Sequence, residues 1–528
     1  MSLNLITDQW IPVVLSDGSE AVIAPWQMSD RNVSRLNWPR PDLNSSCYEF
    51  LIGLVFMADP PVDEEDWDDR SLPDQDRLKV KLDQYSSAFN LIGEGPLFMQ
   101  DFEPLVVKKD KVLPPFALFI DSPGENTTKR GADVINKRDR YSSLDLPIIA
   151  MALYTLQNYS PAGGAGYRVS IRGGGPLSIL VNPETGCLWD IIWANVPYGE
   201  PACIERLPWM RPTAVSDKEH GFQSVFPPPG NTALFDVEAF FGMPRRIRLV
   251  TRDEDVVGYV TCVNGNNYNG WRHPLSSYSY SADNSSDKMD KGAQSTKVKT
   301  KSWKCSRAIR FADGYSYRNW IGISIDENDA NAELSLSLRN WKIRNGSGSV
   351  MVSGWAMDKG SCIGFVSSMQ KLLPNSIDSQ PIIGMIKASL IVANLLGYAL
   401  DNAINGEKKK GKDEDGKDRK RFDASFEKEI FFKNTEGKFI ELSTSAPYSP
   451  EIGKLWLKAM TTEAMRRFDE WNISGLCFSN VSHMKNVTDA RRMLWVSLAG
   501  HSKQGNELYT HLGLQLPEKK QSAESKKS

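Results

Sequence analysis

The spacing of hydrophobic and polar positions changes repeatedly along this 528-residue chain, and those changes outline its elements. From Asn4 to Val14 apolar and polar residues alternate, and the run stops at Asp17-Gly18, which predicts a strand entering a hairpin. Residues 45–58 and 77–92 carry apolar positions three and four apart, the spacing of a helix with one buried face. Between Asp121 and Ser143 that periodicity gives way to Gly, Asn, Lys and Arg, so a long loop is expected there. An apolar helix is predicted over Pro147–Gln157, followed by a glycine-rich segment, Ser160–Gly175. From about 176 to 370 short strands alternate with turn clusters such as Asn264-Gly265-Asn266-Asn267 and Asn345-Gly346-Ser347-Gly348.

Near 371–380 the pattern becomes helical. Four apolar-periodic segments follow, near 380–404, 418–434, 448–472 and 486–513, with a charged linker, Glu407–Lys420, between the first two. Together these predict an α+β protein: a large mixed α/β domain over 1–370, an antiparallel four-helix bundle over 371–516, and a polar, disordered tail over 517–528. The most membrane-like run, Ile382–Leu400, is broken by Lys387, Ser389 and Asn394, so it reads as a helix buried in protein, and no membrane is expected. The first residues lack a basic stretch followed by an apolar one, so no signal peptide is read. The seven cysteines include no C-x-x-C pair, which fits free thiols in a reducing cytoplasm.

Composition narrows the function by exclusion. Charged residues make up 24% and the net charge is −2, so the whole chain is no strongly basic nucleic-acid binder and any phosphate contact must come from local patches. From 371 onward Lys and Arg outnumber Asp and Glu by 25 to 20, a mild basic bias. Fifteen Trp leave two uses open, core packing and stacking on bases.

Enzyme patterns fail one after another. Gly406–Lys412 fits the first seven places of a phosphate-binding loop, but Asp413 stands where Ser or Thr must hold magnesium, and a helix precedes it instead of a strand. The five histidines have no metalloprotease spacing, and no G-x-S-x-G lies between a strand and a helix. No catalytic residue, metal or cofactor is therefore expected, and the reading is of a protein that is not an enzyme.

Local segments do suit nucleic acid. Pro161-Ala162-Gly163-Gly164-Ala165-Gly166-Tyr167-Arg168 continues to Arg172-Gly173-Gly174-Gly175-Pro176. Glycines there let backbone approach a groove closely, with Arg168 and Arg172 at the shoulders as phosphate clamps; a glycine turn packed on protein is the other reading. Lys129, Arg130, Lys137, Arg138 and Arg140 form a basic cluster in the long loop. Between Gly292 and Phe311 lie Lys297, Lys299, Lys301, Lys304, Arg307 and Arg310 without one acid. The two-residue period puts three ammonium groups on one strand face, for a phosphate backbone or for protecting a sheet edge.

Five motifs, in order, resemble the CasA family, the large subunits of the type I-E CRISPR surveillance complex Cascade. They are Leu5–Val13, Pro96–Gln100, Ser160–Pro176, Gly270–Leu275 and Gly354–Asp358. The resemblance runs in register over most of the chain. It implies a non-catalytic subunit that reads the short motif flanking a target (the PAM) from the minor groove of double-stranded DNA. It also implies help in opening the duplex for R-loop formation and recruitment of a helicase–nuclease in antiviral defense. Implied partners are the other Cascade subunits, the CRISPR guide RNA, target DNA and the helicase–nuclease.

Residue by residue, the resemblance places the loop reaching the guide RNA and neighbouring subunits on Val134, Ile135, Asn136 and Lys137. The glycine loop falls on Gly163, Gly164, Ala165 and Gly166, with Ala165 where the family has glycine. The family's lysine finger falls in Thr261–Asn267, which holds no lysine and offers Asn264 and Asn266 as donors instead. The family's glutamine wedge falls on Lys359, after Asp358. Those departures keep a second reading open, a scaffold subunit that recruits a nuclease without reading the motif itself.

Overall fold

The computed structural model describes residues 2–105, 112–123, 141, 143–161, 166–174, 176–184, 186–216, 236–268, 271–280, 306–308, 332–344, 346–358, 361–372, 380–406, 422–445, 448–472 and 480–517. They divide into two compact units, one ending at Leu372 and the other built from the helices that start at Gln380. The first mixes helix and sheet and the second is helical, the α+β class expected from the pattern.

In the first unit the N-terminal hairpin forms where Asp17-Gly18 predicts it. Strands β1 (Ile11–Leu15), β2 (Glu20–Ile23) and β3 (Val33–Leu36) make an antiparallel sheet in the order β2-β1-β3. Residues 4–10 are not strand, unlike the sequence expectation. Asn4 caps a turn through its side chain, accepting from the Ile6 and Thr7 amides, and Trp10 donates back to the Leu5 carbonyl at 3.0 Å. Alternation there reflects burial of Leu5, Ile6 and Trp10 in a tight turn.

The helix Pro41–Ala58 is the centre of this unit. It is apolar on nearly every face, and all but two of its residues are buried. Phe50 meets Trp10, Phe89, Phe98, Tyr154 and Phe241 edge-on at 5.4–6.4 Å, the arrangement aromatic quadrupoles favour. The helix expected over 77–92 ends at Asp83 and gives way to a short turn at Ser86–Ala88.

The remaining strands are β4 (Leu177–Pro183), β5 (Arg246–Arg252), β6 (Asp255–Cys262), β7 (Tyr278–Tyr280), β8 (Ser306–Ala308), β9 (Ala332–Glu333), β10 (Gly348–Asp358) and β11 (Ser361–Lys371). They pair as β11-β10-β4, β5-β6 and β8-β7-β9. The expectation of short strands alone over 176–370 needs two corrections. β10 and β11 form one long hairpin of 11-residue arms, and helices occur at Leu188–Asn195, Glu238–Phe241 and Leu336–Ile343.

One buried ion pair ties this unit together. Glu49, midway along the central helix, and Arg172 both have side chains with no exposure to solvent. Arg172 gives two guanidinium nitrogens to the two carboxylate oxygens at 3.1 and 2.8 Å, and a third contact goes to Ser178 Oγ at 2.7 Å. Tyr159 donates to Glu49 at 2.5 Å and lies under the guanidinium, 4.6 Å from its ring centroid. The helix Leu146–Tyr159, β4 and the central helix therefore converge on one charged point. The expected role of Arg172 as a DNA phosphate clamp is corrected: its charge is spent inside the protein, where no phosphate reaches it.

His273 lies beside this pair, fully buried, with Nδ1 accepting from the Leu275 amide at 3.2 Å and its ring edge-on to Phe240. Burial, then the Arg172 charge, hold its imidazole well below the usual histidine range.

In the second unit, Gln380–Asn405 packs against Ser425–Ser443, Pro450–Asn472, Val481–Leu498 and Lys503–His511. By length and composition Gln380–Asn405 is apolar enough to cross a membrane, and it is mostly buried among the other helices. Trp456 donates to its Met385 carbonyl at 3.0 Å. Inside the bundle Arg467 pairs with Glu427. The segment expected as one helix over 486–513 is two, because Gly500 adopts φ +84° and Ser502 caps a new helix by accepting from the Gly505 amide. The segment expected over 418–434 begins instead at Ser425 and runs to Ser443.

Two outcomes follow. Arg172→Ala strands a buried carboxylate and lowers the stability of the first unit by about 3–5 kcal/mol, while Glu49→Leu with Arg172→Met recovers much of that loss. Urea unfolding of the three chains checks this; a double variant as unstable as the single one contradicts it. For His273, the unfolded imidazole takes a proton below about pH 6.5 and the folded one resists it, so stability is full above that pH and falls below it. The expected slope is about 1.4 kcal/mol per pH unit. His273→Asn, which keeps an acceptor for the Leu275 amide, removes that part of the slope in melts between pH 5 and 7.

Candidate nucleic-acid interface

The β5–β6 hairpin delivers the 261–268 loop to the glycine-rich segment. Asn264 sits in the left-handed region at φ +64°, which asparagine tolerates better than most residues. That conformation turns its amide onto the Gly166 carbonyl at 2.7 Å and its carbonyl onto the Ser216 amide at 3.1 Å. Ser216 continues the junction: its Oγ accepts from the Asn267 amide at 3.1 Å, and its carbonyl accepts from the Arg168 guanidinium. Gly166 has φ +83°, and a Cβ on it would collide with Val263. Gly265 is pressed onto the Pro244 carbonyl in the same way, with no space for a side chain.

Behind the loop, Tyr268 fixes its base. Its hydroxyl accepts from the Met243 amide at 3.0 Å and donates to Glu238 at 2.6 Å, and its ring meets Trp271 edge-on. Burial, then the Glu238 charge, raise its phenol well above the ordinary range, so it stays a neutral donor. Ile171 closes this small apolar cluster.

Arg245 joins from the root of β5. Its backbone exchanges two bonds with Gln157, at 3.0 and 2.9 Å, and its guanidinium donates to the Pro161 carbonyl at 2.5 Å. The Tyr167 ring centroid lies 5.2 Å from the guanidinium carbon. Only 9% of the residue is exposed, and among the described residues no carboxylate faces it.

The structure thus brings together several residues singled out in the sequence. Gly166, Arg168 and Asn264 meet at one junction, half-exposed, with exposed Val169 beside them. Asn266 is a correction: it is 7% exposed and turned into the protein, where its Oδ1 has no hydrogen-bond donor among the described residues, whereas Asn264 and Asn267 are half-exposed. Arg172 lies at the far end of the same segment but inside, as described above.

Gly163, Gly164, Ala165, Lys359 and the loop Val134, Ile135, Asn136 and Lys137 lie outside the described residues, as do the basic cluster around Lys129 and Lys297–Lys304. Asp358 ends β10, paired in register with Ser361 on the other side of Lys359. Among the described residues no three His, Cys, Asp or Glu are placed to hold a metal. Sequence reasoning missed Arg245 and Ser216. Three arginines in the four residues 245–248 were a visible signal for the first; nothing marked the second.

The five motifs that carry the resemblance are largely core. Leu5, Trp10, Leu97, Phe98, Trp271, His273, Leu275 and Trp355 are all buried. A family profile described as CRISPR-associated protein Cse1 matches residues 4–467. Among solved structures, Thermobifida fusca Cse1 is similar with a TM-score of 0.68 at 16% identity, covering 97% of this chain and 98% of that one. Thermus thermophilus CasA (Cse1) is similar with a TM-score of 0.63 at 14% identity, covering 97% and 99%. A chain of a structure described as a CRISPR RNA-guided surveillance complex is similar with a TM-score of 0.57 at 13% identity, covering 94% and 99%. With a family match spanning most of its length and a fold that agrees from end to end, this chain belongs to the CRISPR-associated Cse1 (CasA) family.

Proposed function

We propose that this chain is the non-catalytic large subunit of a CRISPR RNA-guided surveillance complex, reading the motif beside a target in duplex DNA and helping to open it. Family membership and the likeness to a surveillance-complex chain support the assembly, with guide RNA and other subunits as partners. The observation that carries the reading role is the Asn264–Gly166 junction. Both backbones there are fixed by hydrogen bonds while the Asn264 side chain remains half-exposed. A side-chain amide held this way donates to the acceptors that A·T and G·C pairs share on their minor-groove edge. That groove carries a degenerate code, so tolerance of several flanking motifs follows from the chemistry. Opening of the duplex and recruitment of a helicase–nuclease belong to the same proposal, with Asp358, at the end of β10, and Lys359, next in the sequence, assigned to the base step. A reducing cytoplasm is the setting it requires.

Asn264→Gly tests the role cleanly, because glycine keeps the left-handed backbone and removes only the amide. The assembled complex carrying Asn264→Gly is expected to change its preference in a library of randomised flanking sequences, with its melting unchanged. An unaltered preference favours a scaffold subunit that recruits a nuclease without reading the motif. Target affinity that is the same with this chain omitted overturns the proposal as a whole.

A further inference from the structure

Among the described residues, Arg40, Arg172, Arg246 and Arg467 each face a carboxylate, and Arg245 does not. Burial pushes the Arg245 guanidinium down to about 10, so it keeps its charge at neutral pH inside the protein without a counter-charge. That arrangement is costly, since a buried ion is stabilised only by a partner. Among the described residues its guanidinium makes one hydrogen bond, to the Pro161 carbonyl, which orients it together with the Tyr167 ring, and its Nε has no acceptor. A guanidinium with free donors in a fixed plane matches two oxygens of a phosphate. Arg168, at the same junction, is also without a carboxylate among the described residues, and its Nε too has no acceptor. Half-exposed Tyr167 and Arg168 and exposed Val169 bring this junction to solvent.

We propose that Arg245 forms a phosphate site beside the Gly166–Asn264 junction that takes one backbone phosphate of duplex DNA. This rests on the DNA-reading function above and adds to it a sequence-independent anchor. The phosphate supplies the missing negative charge, accepts from the terminal nitrogens of the Arg245 guanidinium, and sets the register in which Asn264 meets a base edge. Binding by the duplex thereby offsets a cost that the free protein carries.

The test has two arms. In the first, the full chain is melted in sodium phosphate and in sodium chloride at matched ionic strength. Phosphate is expected to raise the melting temperature more than chloride; Arg245→Met is expected to melt no lower than the parent in chloride and to lose the phosphate-specific rise. Arg245→Lys, which keeps the charge without the fork, is expected to retain part of it. Equal responses to the two salts in the parent, or a phosphate rise that survives in Arg245→Met, overturn the site. So does an Arg245→Met chain that melts well below the parent in chloride, which marks a structural clamp.

In the second arm, the salt dependence of target affinity is measured for the assembled complex. One lost phosphate contact lowers the log–log slope by about 0.9, the change expected for Arg245→Met. An unchanged slope alongside a lost phosphate rise shows a site for free anion alone and overturns its assignment to DNA. Should the complex bind its target equally well without this chain, the DNA-reading function fails, and the phosphate melts still decide whether the anion site exists.

Discussion

Glu49 and Arg172 must stay within hydrogen-bond reach of each other, because neither has water to fall back on. The helix that carries Glu49 is apolar on almost every face, and such a helix has little else to fix its rotation or its position along its axis. The charge pair supplies that fix. Tyr159 and Ser178 fill the remaining positions around the carboxylate, so the middle of one helix, the end of another and the start of β4 are registered on one point. Apolar packing alone tolerates sliding of neighbours; a buried ion pair does not.

The same pair reaches into the candidate interface. Arg172 anchors one end of the 166–172 stretch in the core, and the Asn264 amide anchors the other through the Gly166 carbonyl. Between them Tyr167, Arg168 and Val169 are the residues left near solvent. Two neighbouring arginines in one glycine-rich segment therefore do opposite work. Arg172 fixes where the segment ends, and Arg168 remains at the rim.

Much of this was legible in the residue pattern, and the exceptions have physical causes. The long periodic helices and the Asp17-Gly18 hairpin declare themselves because burial on one face repeats over many residues. Leu188–Asn195 did not: eight residues, apolar on both faces, carry no period that separates helix from strand. The glycine and asparagine loops were visible as composition, since only those residues enter left-handed turns or allow backbone to lie against backbone. The fate of Arg172 was not visible, because its partner lies 123 positions away in sequence. Arg245 was hidden for the opposite reason, being defined by a partner that is missing. The tryptophans resolve mostly to core: Trp10, Trp209 and Trp456 are among the most completely enclosed side chains, whereas Trp471 and Trp495 remain about half exposed.

The long hairpin has a mechanical side. Gly354 lies flat against the Pro176 carbonyl at the edge of β4, and the ladder between β10 and β4 stops there. Beyond it β10 continues four residues to Asp358 with β11 as its strand neighbour, and there Trp355 and Met357 are buried against Ile120 and Tyr159. Substitutions in that buried cluster thus shift the outer end of the hairpin from inside the core, and under the proposed function they retune the base-step contact without changing Asp358 itself.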